Sequence, residues 1–344
     1  MTNFQLFAVE DAGPRPLPVP EGATQFADLY RGLPLGVYDA LRTFEHNKFL
    51  YLNRHVARTE RSMALLGWNY RLDRARLLRA LHGVVTAAEW PDMRLRYDVL
   101  ADPVTLVDDP AQPVGSLWTR SRELIAIQPF TPPPPELYER GVAVAFAGDV
   151  RRENPLAKTA EFAARRPMGN GLVFKDDSQE TTDDRPQTTA SDAVVRRLSS
   201  VVAPYEYLLL DPANRILEGA GTNFWAVREG AVYTAADGVL EGITREILLK
   251  LIPELGIELR LATVGVDEIA ALDEAALSGS SRAFLPVVEI AGQPVGDGRP
   301  GPITRRILAA YNDFVAANVR TASGGGEQGR EGDLLCSALS VTPR

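Results

Sequence analysis

Apolar and polar positions change their period several times along this chain, and each change marks an element. Gly36-Val37-Tyr38-Asp39-Ala40-Leu41-Arg42-Thr43-Phe44 alternates loosely as a strand, His46-Asn47 marks a turn, and Phe49-Leu50-Tyr51-Leu52 resumes as the partner strand of a hairpin. From Asn53 the spacing becomes helical, with Val56, Thr59, Met63 and Leu66 recurring up to Gly67, and a second helical pattern runs from Leu72 to Ala88. Strand patterns return at Met93 to Leu100 and at Glu123 to Ile127. Thr131 and the four prolines that follow form a stiff extended segment, because consecutive prolines fix the backbone and donate no hydrogen bonds. Beyond it, strands are predicted at 141–147, 205–211, 222–227, 256–259 and 284–290, with a turn at 212–214 and helices over 245–255 and 304–317.

This order predicts a mixed α/β (α+β) chain of two domains: an N-terminal α/β domain over 1–127, a proline-rich linker over 128–136, and a larger, β-rich C-terminal domain over 137–318. Two stretches lack a core pattern and are expected to be disordered: a polar insertion at 167–192, and a Gly- and Ser-rich tail within 319–344.

Charge and composition narrow the functional classes. A formal net charge of -8 gives no basic surface for nucleic acid. No stretch approaches the roughly 20 apolar residues of a membrane helix and the first residues lack the pattern of a signal peptide, so a cytoplasmic location is expected. The single Cys336 excludes an internal disulfide, and the scattered His46, His55 and His82 suggest no metal site. Of 37 basic residues only Lys48, Lys158, Lys175 and Lys250 are lysines. In such a chain a lysine is a candidate for chemistry that arginine cannot perform, since arginine stays protonated and does not condense with an aldehyde. The bland alternative, a chance surface lysine, is the reading for the other three.

Lys158 follows a predicted strand. Further on come Glu218 in Leu217-Glu218-Gly219-Ala220-Gly221-Thr222-Asn223-Phe224, then Gly242-Ile243-Thr244-Arg245 before a helix, then Ser278-Gly279-Ser280-Ser281. Together they offer an amine for a Schiff base, a carboxylate for a ring nitrogen and donors for a phosphate, which is what pyridoxal 5′-phosphate requires of a protein. With Arg58 in His55-Val56-Ala57-Arg58, the order of these motifs resembles the class IV (fold type IV) aminotransferases, most of all branched-chain aminotransferase, over roughly residues 25 to 318.

The resemblance implies a two-domain fold with pyridoxal 5′-phosphate between the domains, and a homodimer. It implies that Lys158 binds the cofactor and then moves the substrate proton, that Glu218, followed by Asn223, faces the pyridine nitrogen, and that Arg58, Gly242, Ile243, Thr244, Gly279 and Ser280 hold the phosphate. Tyr38, Arg94, Arg96 and Ser281 lie where relatives select the substrate, although Arg94 and Arg96 equally suit the solvent face of a strand. The expected reaction is transamination between a branched-chain L-amino acid and 2-oxoglutarate. D-amino acid aminotransferase, aminodeoxychorismate lyase and a non-catalytic cofactor-binding protein are the alternatives. Two departures accompany the resemblance. Phe162 stands nearest to the place where many relatives carry a tyrosine that bonds the cofactor's phenolic oxygen, and the Lys158 to Glu218 interval is longer than usual.

Overall fold

A computed structural model describes residues 4–30, 32–102, 121–169 and 204–321 of the chain. These fall into two compact units: the described residues up to Thr131 together with those from Asn318 on, and the residues from Pro132 to Ala317. No helix among the described residues is long and apolar enough to cross a membrane.

The N-terminal unit is built on β1 (Gln5–Glu10), β2 (Gly13–Leu17), β3 (Val37–Phe44), β4 (Lys48–Phe49), β5 (Met93–Val99), β6 (Glu123–Pro129) and, where the chain returns, β17 (Arg320–Thr321). Their order across the sheet is β17-β4-β3-β5-β6-β1-β2. Helices α1 (Leu52–Leu65) and α2 (Arg74–Ala87) supply Leu52, Val56, Leu77 and Leu81 to a core shared with Leu41, Leu95 and Ile127. Period-two alternation explains the match, since Leu95 and Tyr97 enter this core while Arg94 and Arg96 leave by the other face. A second core lies under the short helical turn Phe26–Tyr30, where Phe26 and Leu29 pack with Leu6, Ala8, Leu124 and Ala126.

The hairpin expected from the spacing is present, with Thr43 opposite Phe49 and Phe44 opposite Lys48. Its second strand is shorter than predicted because Tyr51 takes a left-handed conformation (φ 52°) at the N-cap of α1 and ends the extended run. Two further expectations shift. The linker is narrower than 128–136, because Gln128 and Pro129 finish β6 and Pro135 already opens helix α3 (Pro135–Arg140). The tail expected from 319 begins instead as β17, whose Arg320 and Thr321 face Phe49 and Lys48. The polar insertion beyond Gly169 and the tail from residue 322 lie outside the described residues, as does Lys175.

The C-terminal unit holds β7 (Val142–Phe146), β8 (Glu206–Leu210), β9 (Arg215–Gly219), β10 (Asn223–Arg228), β11 (Ala231–Thr234), β12 (Leu259–Leu261), β13 (Val264–Gly265), β14 (Glu274–Gly279), β15 (Ala283–Ile290) and β16 (Gln293–Pro294). Its helices are α3, α4 (Ala160–Arg165), α5 (Ile243–Glu254) and α6 (Pro302–Asn318). The strand path runs β12-β11-β10-β14-β15-β7-β8-β9-β13, and an additional pairing of β10 with β9 closes the stretch from β10 to β9 into a ring. Closure leaves those strands without a free edge at that point. Phe224, Ala226, Leu277, Leu285, Val144, Leu208 and Ile216 pack together in the core of this unit. The spacing of the sequence does not predict β9, because this short strand is squeezed between the turn at 212–214 and the small residues from Gly219 to Gly221.

Candidate functional site

The residue pair that closes the ring is Glu218 on β9 and Asn223 on β10. On the other side of β10, Asn223 faces Ser278 of β14. Glu218, Asn223 and Ser278 therefore stand in a row across neighbouring strands, so that motifs far apart in sequence meet through strand register alone. Glu218 is 2% exposed and Asn223 5% exposed.

Both carboxylate oxygens of Glu218 are anchored. Oε1 accepts from Arg152 Nε at 2.9 Å, and Oε2 accepts from the Leu240 amide at 3.1 Å and from Asn223 Nδ2 at 3.4 Å. Burial pushes the carboxyl of Glu218 upward overall, while Arg152, the Leu240 amide and the Lys158 charge oppose it. Asn223 Nδ2 also donates to Leu240 O at 2.9 Å, which fastens the row to the turn entering α5. A Cβ on Gly242 would overlap Asn223 Oδ1, so any side chain at that N-cap must push the Asn223 amide aside.

Helix α5 begins at Ile243 with no side-chain cap on its N-terminal amides. An uncapped helix start presents donors and a partial positive charge, the usual requirement for a phosphate. Thr244 is buried on the first turn, with Oγ1 3.4 Å from the Tyr311 hydroxyl of α6. Ser278 Oγ accepts from Trp225 Nε1 at 2.9 Å; partly exposed Gly279 ends β14, and Ser280 and Ser281 lie in the partly exposed turn that follows. Gly279 lies against Thr222, and a Cβ there would meet Thr222 Cγ2 at 3.7 Å. Thr222 Oγ1 is buried without a hydrogen-bond partner.

Lys158 is partly buried and immediately precedes Thr159, whose side chain caps α4 by accepting from the Phe162 amide at 3.4 Å. Its charge acts on Glu218. Phe162 is buried with Leu209 and Ala220, under the guanidinium of Arg152 at 4.0 Å. Arg152 belongs to none of the motifs read from the sequence. It lies in an irregular segment with no periodicity, and only the tertiary structure reveals it.

The other sequence-selected residues belong to the N-terminal unit. Arg58 is 4% exposed and meets Asp39 of β3 as a fork, through Nε at 2.9 Å and Nη2 at 2.7 Å. His55 Nδ1 lies 2.8 Å from Asp39 Oδ1, and the two α1 residues, three apart, share the helix face turned to β3. Burial alone would raise the Asp39 carboxyl, but Arg58 and His55 outweigh it and hold it well below the usual carboxylate range. A signal for this group was present in the sequence: Asp39 occupies an inward slot in the alternation of β3, between Val37 and Leu41, where an unpaired charge would be costly.

Arg94 and Arg96 share one face of β5, opposite Arg42 and Ala40 of β3. Arg96 does not offer an open fork to a substrate, as expected of it. Its Nε and Nη2 donate to Asp98 at 2.8 and 2.5 Å, and its guanidinium is held between the rings of Tyr30 and Tyr38 at 4.3 and 4.1 Å. Nor does it face solvent. Arg94 is half-buried, 5.4 Å from the Phe26 ring. Among the described residues no group of three or more His, Cys, Asp or Glu could hold a metal ion.

Residues 36–166 and 190–290 match the family model of amino-transferase class IV. The branched-chain-amino-acid aminotransferase of Pseudomonas aeruginosa is 36% identical over 112 residues, 32% of this chain and 36% of that protein. The D-alanine aminotransferase of Staphylococcus haemolyticus is 34% identical over 102 residues, 29% of this chain and 36% of that protein. The matched stretch thus spans about a third of the length of these curated relatives. In fold, the chain is similar to the branched-chain amino acid aminotransferase of Escherichia coli, with TM-score 0.64 and 19% identity over 94% of this chain and 100% of that one. It is likewise similar to the branched-chain aminotransferase of Thermoproteus uzoniensis with norvaline, with TM-score 0.63 and 22% identity over 93% and 99% of the two chains. A third solved branched-chain amino acid aminotransferase, this one with pyridoxamine 5′-phosphate, matches with TM-score 0.66 and 19% identity over 94% of this chain and 100% of that one.

Proposed function

The chain belongs to the class IV aminotransferase family, and from that premise we propose that it uses pyridoxal 5′-phosphate to transfer the amino group of a branched-chain L-amino acid to 2-oxoglutarate. The observation that carries this reading is the row Glu218, Asn223 and Ser278, tied through Asn223 and Gly242 to the uncapped start of α5 and reached by the charge of Lys158. The donors suit the cofactor. The unsatisfied, buried Thr222 hydroxyl and the uncapped helix start answer a phosphate, and the anchored Glu218 carboxylate answers a ring nitrogen.

In this reading Gly242, Ile243, Thr244, Gly279 and Ser280 hold the phosphate, while the Arg58 fork, expected to pair with it, is taken by Asp39. Lys158 is the amine that holds the cofactor and, once released, carries the proton removed from the substrate α-carbon. Glu218 keeps the ring nitrogen protonated and Asn223 keeps Glu218 in place. When bound, the cofactor supplies the electron sink that stabilises negative charge at that carbon. The Arg96 fork is taken by Asp98, which leaves Arg94 and Tyr38 as the substrate-orienting candidates of the N-terminal unit. The assembly in this reading is a homodimer.

The D-alanine aminotransferases among the relatives favour a second reading, in which the donor is a D-amino acid. One experiment separates these. Purified protein and Lys158→Ala are examined by visible absorbance before and after L-leucine, L-glutamate or D-alanine is added, and the keto acids are identified. A cofactor band that is lost in the variant and bleached by L-leucine supports the first reading, and bleaching by D-alanine alone supports the second. Release of pyruvate and 4-aminobenzoate from aminodeoxychorismate would instead mark a lyase. Absence of any band after cofactor is supplied would defeat the enzyme reading.

A further inference from the structure

Arg152 touches both Glu218 and Phe162. Its Nε bonds Glu218 Oε1 at 2.9 Å, with side-chain exposures of 7% and 3%. Its guanidinium carbon stands 4.0 Å from the centre of the Phe162 ring, which packs with Leu209 and Ala220. The stack and the hydrogen bond fix the guanidinium plane from two directions, which a lysine cannot reproduce.

Stability alone does not account for such a pair. Desolvating two charges costs several kcal/mol per ion, and packed apolar residues of similar volume often serve a core as well or better. The cations Arg152, Lys158 and Arg245 act on Glu218. Arg152 makes a direct hydrogen bond to the carboxylate, whereas Arg245 Nη2 donates to Ala235 O at 2.6 Å.

We infer that Arg152 is a positioning residue for the cofactor: braced on the Phe162 ring, it holds one carboxylate oxygen of Glu218 while Leu240 and Asn223 hold the other, so that Glu218 meets the ring nitrogen as a fixed carboxylate. This rests on the reading of Glu218 given above. Phe162, which cannot bond the cofactor as a tyrosine would, thereby acquires a different role, in which its face supports the arginine.

The test uses the full chain freed of cofactor and titrated with pyridoxal 5′-phosphate, for wild type, Arg152→Gln, Arg152→Lys and Glu218→Gln. Two quantities are read: the dissociation constant from quenching of tryptophan fluorescence, and the pH midpoint of the visible band of the bound cofactor. Arg152→Gln is expected to weaken binding about tenfold, equivalent to about 1.4 kcal/mol, and to move the midpoint by about one pH unit. Arg152→Lys, which keeps the charge but loses the stack, is expected between wild type and glutamine in both. Glu218→Gln, which removes the carboxylate itself, is expected to shift both quantities at least as far as Arg152→Gln. Circular dichroism establishes that each variant is folded. Wild-type values of both quantities in Arg152→Gln, or in Arg152→Lys if the glutamine variant does not fold, overturn the inference and leave Arg152 a structural residue. Failure of the wild type to bind the cofactor removes the underlying reading and the inference with it.

Discussion

Replacing Asp39 by asparagine removes one charge from a buried group and leaves its volume nearly unchanged. Asp39 is wholly buried and its oxygens meet Arg58 Nε at 2.9 Å, Arg58 Nη2 at 2.7 Å, His55 Nδ1 at 2.8 Å and the Ala40 amide at 2.7 Å. The asparagine oxygen cannot serve all of these, and its amide would point a donor at a guanidinium that remains buried. Breaking one side of a buried ion pair costs about 3–5 kcal/mol, because the surviving charge stays desolvated. For a unit of this size each kcal/mol shifts the melting temperature by about 2–4 °C, so a fall of about 6–20 °C is expected. The sign of the pH dependence follows from the lowered carboxyl. Its contribution is complete above the unfolded-state pKa of about 4 and is lost as the pH falls through the lower folded-state value. Asp39→Asn should therefore be least stable relative to wild type at neutral pH, with the difference shrinking in acid. Because the chain holds two compact units, a local readout is needed, and the assay is amide hydrogen exchange by mass spectrometry on peptides from β3 and α1. A difference below about 1 kcal/mol at pH 7 would refute the reasoning, since exposed ion pairs already reach that value. The double variant Asp39→Leu with Arg58→Met should recover much of the loss, as no unpaired charge then remains inside.

Two further outcomes follow from contacts in the C-terminal unit. Gly242→Ala sets a methyl against Asn223 Oδ1, loosening the hold of Asn223 on Leu240 and Glu218. A roughly tenfold weaker cofactor dissociation constant by fluorescence titration is expected, about 1.4 kcal/mol, with the protein still folded. Trp225→Phe keeps an aromatic ring beside Phe284, now 5.9 Å away and edge-on, but strips Ser278 Oγ of its 2.9 Å donor. Urea unfolding should register a loss of about 1–3 kcal/mol from the stranded hydroxyl and lost volume, and Trp225→Phe with Ser278→Ala should lose less than the sum of the single changes.

Local regularities in the sequence carried the elements with clear periods. The helical spacing of Val56, Thr59 and Met63, the alternation of β3, and the strands around Met93 and Phe284 all stand where they were expected. Within that helix His55 and Arg58 share one face, because residues three apart on a helix are neighbours whatever the rest of the chain does. The proposed chemistry rests on residue type: a scarce lysine, an acid before small residues, and Gly-Ile-Thr before a helix. Strand partners were not legible in this way. That Glu218 closes a ring against Asn223, and that Asn223 in turn faces Ser278, depends on the register of strands from separate parts of the chain, which no local pattern encodes. The partners of charged side chains lay equally beyond it. Arg96 alternates like a residue of an open face, yet Asp98 and two tyrosine rings enclose it. Arg152 sits in a segment of no period at all, and it reaches Glu218 only because the strands bring that carboxylate to it. Periodicity reports which face a side chain occupies; what meets it there is decided when distant segments pack, since a buried charge is tolerated only where tertiary contacts supply its partner.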